Sequence, residues 1–286
     1  MSKPADPRVF EALTPEAGVY FLSAAVLARQ KTRYQAMAVY QTPTLGKILQ
    51  LDGASMTSER DEFFYHENIV HPALITQRSP RRALVIGGGD GGSAEELLKY
   101  ASIERVVIAE LDPDVVDAAR QHLQAVHRGA LDDPRVDILI GDGYAYLRQT
   151  GEKFDVIVMD LPDPVGPAAA LYSVDFFENC DRALQAAGTL ALHIGSPFFH
   201  PERFAQSVEK LRDVFPIVRP YLVHVPLYGA WWGMVCASRE TDPLSLTESE
   251  VDARIVERNI CDLQFYNGAM HRAVFALPNF VKALIS

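Results

Sequence analysis

Five acidic side chains, Asp90, Glu110, Asp142, Asp160 and Asp163, each stand at or just beyond the end of a short apolar run. Carboxylates in that number can attract a cation, accept from the hydroxyls of a ribose, or take a proton from an amine. Asp90 lies inside Gly87-Gly-Gly-Asp-Gly-Gly92, where five glycines surround one charge. Glycine lets backbone approach a ligand where a side chain would collide, which is how nucleotide-cradling turns are made. A turn built for pyrophosphate would not carry Asp90, because its charge repels phosphate. The turn therefore suits an adenosyl group joined to a positive centre such as a sulfonium. Glu110 follows Asp90 by 20 residues, the spacing of an acid that takes both ribose hydroxyls. Asp142, between Gly141 and Gly143, is placed to accept from an adenine amino group. Singly, Glu110 could be a surface acid, Asp142 a turn former and Asp163-Pro164 a turn initiator. Together they share one positional rule, and such a cluster would repel itself unless a cation offsets it.

Elements with a βα rhythm must position these residues. Strands are expected at Ala83–Ile86, Arg105–Glu110, Val136–Ile140, Phe154–Met159, Gly188–Ile194, Val218–Val225 and Trp231–Ala237. Helices are expected at Ser93–Tyr100, Asp114–Gln124, Tyr144–Gln149, Ser173–Ala186, Pro201–Phe215, Glu248–Arg258 and Arg272–Leu284. Such alternation gives an α/β, doubly wound, Rossmann-like sheet of the methyltransferase type, mostly parallel, with ligands at the carboxyl ends of the strands. The last two strands, joined by Pro226-Leu-Tyr-Gly229, can pair antiparallel at one edge. Before this, residues 1–18 look loosely structured. Tyr34–Gln41 and Lys47–Asp52 alternate with period two around a Pro/Gly turn, an antiparallel hairpin. A small β-rich N-terminal domain over 1–58 and a catalytic domain over 59–286 follow. A helix starting near Thr57–Asp61 is expected to end in the region framed by Pro72 and Pro80.

The 286 residues are 48% hydrophobic and carry a net charge of −10, which disfavours nucleic acid and anionic membrane as partners. No apolar run reaches the ~20 residues of a membrane span, and no signal core opens the chain, so a cytoplasmic location is expected. The three cysteines are widely spaced, unlike a disulfide framework. His66-Glu67 and His71 miss the His-Glu-x-x-His zinc pattern by one residue, and no metal site is expected. Trp231-Trp232 reads as sheet core.

Several segments resemble one family along nearly the whole chain: Tyr34-Gln35, Leu51-Asp-Gly53, Glu59-Arg-Asp-Glu-Phe63, Tyr65-His-Glu67, the glycine turn, Glu110, Gly141-Asp-Gly143, Asp160, Asp163-Pro-Val-Gly-Pro167, Tyr266-Asn267, His271-Arg272 and Leu277-Pro278. The family is spermidine synthase, the polyamine aminopropyltransferases. Glycine turns are weak signals, whereas Asp61–Glu67 together with Asp163–Ala168 is highly specific. The resemblance implies transfer of an aminopropyl group from decarboxylated S-adenosylmethionine, a co-substrate, to putrescine or another polyamine, with no other cofactor. It implies that Gln35, Gly87, Gly89, Glu110, Asp142, Gly143 and Pro167 line the nucleoside pocket. Asp90 would hold the aminopropyl ammonium and repel the carboxylate of ordinary S-adenosylmethionine. Tyr65, His66, Asp163 and Tyr228 would line the amine channel, and Asp160 would be the catalytic base. A homodimer or homotetramer is implied, joined through the N-terminal β region. Three departures bear on the acceptor. Met56 stands where the family has Gln, Leu161-Pro162 replace a Ser/Thr pair, and Leu192-His193-Ile194-Gly195-Ser196 replaces a Gln-containing run. The last two resemble the thermospermine synthase branch. A methyltransferase and a non-catalytic polyamine-binding protein are the competing readings.

Overall fold

The computed structural model describes residues 8–163 and 166–286. Its N-terminal part is all antiparallel. β1 (Arg8–Ala12) and β2 (Gly18–Leu22) pair as a hairpin, and β3 (Ala25–Lys31), β4 (Ala36–Thr42), β5 (Gly46–Leu51) and β6 (Ala54–Ser58) form a four-stranded sheet in chain order. The expected hairpin is β4–β5, in register from Met37–Leu51 to Thr42–Gly46. Thr42 closes its turn by donating its hydroxyl to the Gly46 carbonyl at 2.9 Å. Residues 8–12 are a strand rather than the loose segment expected. Val9 alone is buried while Phe10 is 62% exposed, so five residues give too little alternation for period two to be read there.

Seven strands make the second sheet: β7 (Arg82–Gly87), β8 (Arg105–Glu110), β9 (Val136–Ile140), β10 (Phe154–Asp160), β11 (Leu184–Gly195), β12 (Ile217–Val225) and β13 (Ala230–Ser238). Their spatial order is β12-β13-β11-β10-β7-β8-β9. β9, β8, β7, β10 and β11 run parallel, and β13 pairs antiparallel with both β11 and β12. The runs Leu84–Ile86 and Val156–Met159 are fully buried, as strands covered on both faces must be.

Around it stand α1 (Glu62–Leu74), α2 (Gly92–Leu98), α3 (Pro113–His122), α4 (Gln124–His127), α5 (Gly143–Gln149), α6 (Val174–Ala183), α7 (Pro201–Arg212), α8 (Glu248–Glu257), α9 (Gly268–Val274) and α10 (Asn279–Leu284). They cover both faces with two apolar layers, one holding Ile69, Val85 and Tyr221 and the other Leu84, Phe176 and Phe204.

α1 ends at Leu74, in the expected region between Pro72 and Pro80, while three other expected helices end or divide differently. Pro72 itself lies inside the last turn of α1. A proline removes the N–H that would bond the carbonyl four residues back. That carbonyl, on Asn68, instead accepts the Tyr221 hydroxyl at 2.7 Å, so the helix continues. α6 stops at Ala183 because Leu184 already pairs with Phe154 in the sheet. The expected Asp114–Gln124 helix breaks at Leu123 into α3 and α4. The expected Arg272–Leu284 helix is two helices, since Pro278 cannot continue α9 and stands before α10. Trp231 is 54% exposed rather than core.

Candidate active site

β7 and β10 are the neighbours at which the strand order reverses: β8 and β9 follow on one side, β11 on the other. The crevice at such a reversal, beyond the carboxyl ends, is where doubly wound sheets take ligands. Asp160, the last residue of β10, is the register partner of Gly87. The turn after β7 is pressed onto it. Gly88 N–H donates to the Asp160 carbonyl at 2.9 Å, and a Cβ on Gly87 would sit 2.2 Å from that oxygen. Gly87 and Gly88 have φ of +79° and +66°, a backbone region that L side chains rarely adopt.

Three charged groups meet in this crevice. His66, from α1, places Nε2 3.7 Å from Asp90 Oδ2 and 4.0 Å from Asp160 Oδ2. Their nearest ligand atoms all lie within 4.8 Å of one another. Space for the imidazole comes from Gly92, where a Cβ would fall 2.2 Å from the ring. His66 Nδ1 lies 2.9 Å from Glu62 Oε2, and the other Glu62 oxygen accepts from Arg128 at 2.9 Å. Asp90 Oδ1 accepts Gly92 N–H at 3.0 Å, and Asp160 Oδ2 accepts the Ser93 hydroxyl at 2.6 Å.

This environment drives the two carboxylates apart. Burial, then the nearby charge of Asp90, pushes Asp160 up to about 6, against the opposing effects of His66, Ser93 and Tyr65. Burial also works against ionised Asp90, but His66 and Gly92 N–H outweigh it and hold Asp90 below the usual carboxylate range. Burial likewise disfavours a charged His66, yet Asp90 and Glu62 raise it well above the ordinary imidazole value. One carboxylate stays ionised to hold a cation while its neighbour can exchange a proton near neutral pH, the usual division of labour in an acid–base site.

Glu110, ending β8, accepts Gly89 N–H at 3.1 Å and Asp112 N–H at 2.8 Å. Burial raises its carboxyl to about 7. Asp112 in turn accepts from Thr32 at 2.7 Å and Gln35 at 3.0 Å, which ties the β3–β4 connection to this edge. Asp142 is exposed and caps α5, accepting Tyr144 N–H at 2.9 Å. Gly143 is buried, with no room for a Cβ against Ile86. Pro164 and Val165, and the side chain of Pro167, lie outside the described residues.

Tyr65 is buried beside Asp160, its ring 6.1 Å from both Tyr228 and His193. Tyr228 donates its hydroxyl to the Met56 carbonyl at 2.8 Å. Met56 thus still joins the N-terminal sheet to the β12–β13 turn, through backbone instead of a side-chain amide. Asp163 does not join the carboxylate cluster: its Oδ2 is 2.8 Å from Arg203. His193 Nδ1 accepts the Trp232 N–H at 3.2 Å, so the ring proton sits on Nε2, 2.7 Å from the Leu161 carbonyl. Burial holds His193 below its ordinary value, hence neutral.

Of the residues expected at the site, Asp90, Asp160, His66 and Tyr65 come together, with Glu110 and Gly89 adjoining. Asp142 caps a helix and Asp163 turns to an arginine. Ser93, Glu62, Arg128, Asp112 and Arg203 escaped the sequence reading. The Glu62–His66 pair had a signal in its i, i+4 spacing, and Arg203 had none.

Comparison with known proteins extends this geometry to a family. Residues 62–247 match the spermine/spermidine synthase domain, and residues 9–59 match the spermidine synthase tetramerisation domain. A polyamine aminopropyltransferase of Nitrosomonas europaea is 49% identical over 285 residues, covering 100% of this chain and 88% of that protein. One of Moorella thermoacetica is 41% identical, covering 96% and 95%. A crystal structure of spermidine synthase with the transition-state analogue AdoDATO superposes with a TM-score of 0.91 at 34% identity, covering 100% of this chain and 98% of that one. The Thermotoga maritima spermidine synthase gives 0.90 at 34% identity, covering 100% and 97%. The chain belongs to the spermine/spermidine synthase family and is a transferase of the polyamine aminopropyltransferase class.

Proposed function

We propose that the protein moves the aminopropyl group of decarboxylated S-adenosylmethionine to putrescine, giving spermidine and methylthioadenosine. The observation that carries this is the buried His66, Asp90 and Asp160 cluster, in which Asp160 sits near 6 beside an ionised Asp90. Asp90 attracts the aminopropyl ammonium of the donor. An incoming diamine carries ammonium groups with pKa near ~10, as in lysine, so its attacking nitrogen must first lose a proton. Asp160 takes that proton. The freed lone pair attacks the propyl carbon attached to sulfur, the C–S bond breaks, and its electron pair returns to sulfur as a neutral thioether. Positioning of the two reactants supplies much of the acceleration. Glu110 receives the ribose hydroxyls, and Gly87, Gly89, Asp142, Gly143, Gln35 and Pro167 line the rest of the nucleoside pocket. Tyr65, His66, Asp163 and Tyr228 line the acceptor path.

The chemistry needs no resident metal or cofactor, so turnover in the presence of a chelator should equal turnover without it. Incubation with decarboxylated S-adenosylmethionine and a panel of amines tests the proposal. Methylthioadenosine and spermidine are expected with putrescine. No methylthioadenosine with any amine would overturn the reaction, and S-adenosylhomocysteine formed from S-adenosylmethionine would favour a methyltransferase. We further infer a homo-oligomer assembled through the N-terminal β domain, divided from the catalytic domain near residue 58, and a cytoplasmic location. Among the described residues, no helix is long and apolar enough to cross a membrane.

A further inference from the structure

Asp163 is the acceptor-path residue whose surroundings depart most from a simple ammonium site. Its Oδ2 is already paired with Arg203 at 2.8 Å, while its Oδ1 is buried with no hydrogen-bond partner. His193 Nδ1 is 3.9 Å from that Oδ1, but its lone pair already accepts from Trp232, so it has no proton to give. Arg203 Nε is likewise buried and unpartnered.

The arginine is seated by design of the surrounding backbone. It comes from the first turn of α7, and its guanidinium lies over Gly195, where φ is +77° and a Cβ would stand 2.6 Å from Nη2. Gly233 makes the same allowance for Phe204, the next residue of α7, whose ring would be 2.4 Å from a Cβ there. A run of contacts leads outward from Asp160: Tyr65 beside it, His193 with its ring 6.1 Å from Tyr65, then Asp163, then Arg203.

We propose that Arg203 is a specificity-determining residue that limits acceptor length: it occupies half of Asp163 with the protein's own cation, so that a diamine is accepted and a longer polyamine is repelled. This rests on the aminopropyl-transfer reading above. A diamine bound for attack near Asp160 directs its far ammonium to the single unpartnered oxygen of Asp163. A triamine carries a further positive charge beyond that point, towards the guanidinium. Like charges a few ångströms apart in a partly buried channel discriminate strongly, which makes the arginine a repulsive element directed at the wrong substrate.

The test is the ratio of kcat/KM for spermidine to kcat/KM for putrescine, in wild type, Arg203→Met and Arg203→Lys. The methionine keeps much of the length and removes the charge. It should raise the ratio about tenfold, chiefly through a lower KM for spermidine. Lysine restores the charge and should return the ratio towards wild type. Because a structural role would depress both amines together, the ratio separates selection from folding, and affinity for methylthioadenosine checks that the fold is intact. If the methionine variant does not fold, Arg203→Gln is read in the same way. A ratio unchanged in a folded, charge-free variant overturns the inference while leaving the reaction standing. Wild-type enzyme that yields no methylthioadenosine with any amine overturns the reaction itself.

Discussion

On the side of the crevice proposed for the donor, the carboxylates accept their hydrogen bonds from backbone, with the His66 imidazole also facing Asp90. Gly92 N–H serves Asp90, and the N–H groups of Gly89 and Asp112 serve Glu110. On the acceptor side they are held by side chains from other elements: Ser93 and Tyr65 at Asp160, Arg203 at Asp163. A backbone donor stays when its residue is substituted, provided the turn survives, whereas a side-chain donor is lost with a single change. On the proposed reaction, the donor half is therefore expected to keep one ligand, and the acceptor half to be retunable residue by residue.

The largest effect expected is at the point where the halves meet. Asp160→Asn should lower kcat by about 10³-fold, the scale of a lost general base, while methylthioadenosine still binds. Unchanged turnover would remove Asp160 from the base role. Next comes the backbone side. Gly92→Ala drives a methyl into the His66 ring and should cost about 2 kcal/mol of stability along with activity, read by thermal melting. A variant that melts like wild type would show that the glycine turn is less constrained than its contacts require.

The pH profile follows. Asp160 works as a base only when ionised, so kcat/KM should rise with pH through about 6. Stability has the opposite sign. Asp160 and Glu110 have folded-state pKa values of about 6 and about 7, above their unfolded values near ~4. The folded protein thus binds more protons within that window, and their contribution is lost as pH rises from about 4 to about 7. Asp160→Asn should consequently melt higher than wild type at neutral pH; a lower melting point would mean that Asp160 is stabilised by its partners more than burial destabilises it. The smallest effect is at Ser93, whose hydroxyl lowers the Asp160 pKa. Ser93→Ala should reduce turnover only about threefold to tenfold, in keeping with one hydrogen bond, and move the acid limb to higher pH. A fixed limb would argue against side-chain control of the acceptor half.

The same contrast explains what could be read in advance. The seven strands of the main sheet and the glycine turn were legible because apolar runs and the residues that follow them are neighbours in sequence. Asp90, Glu110 and Asp160 were found by that rule. Asp142 obeys the rule as well, standing just beyond β9 as the exposed cap of α5. Arg203 lies 40 residues from Asp163, on a helix whose placement depends on Gly195 and Gly233. No spacing encodes that reach. The same holds at Pro72, where Tyr221, on a strand far along the chain, supplies the hydrogen bond that lets α1 continue to Leu74.

His66 carries one more consequence. Its proton is retained because Asp90 and Glu62 overcome the penalty of burial. An ammonium arriving between Asp90 and Asp160 takes over the attraction of Asp90, and the imidazole then holds its proton less tightly. On the proposed reaction, uptake of substrate is then expected to be an ion exchange, with a proton passing out to solvent as an amine comes in. The heat recorded in a binding calorimeter would vary with the ionisation enthalpy of the buffer, and titrations in phosphate and in Tris would disagree by an amount that counts the protons released.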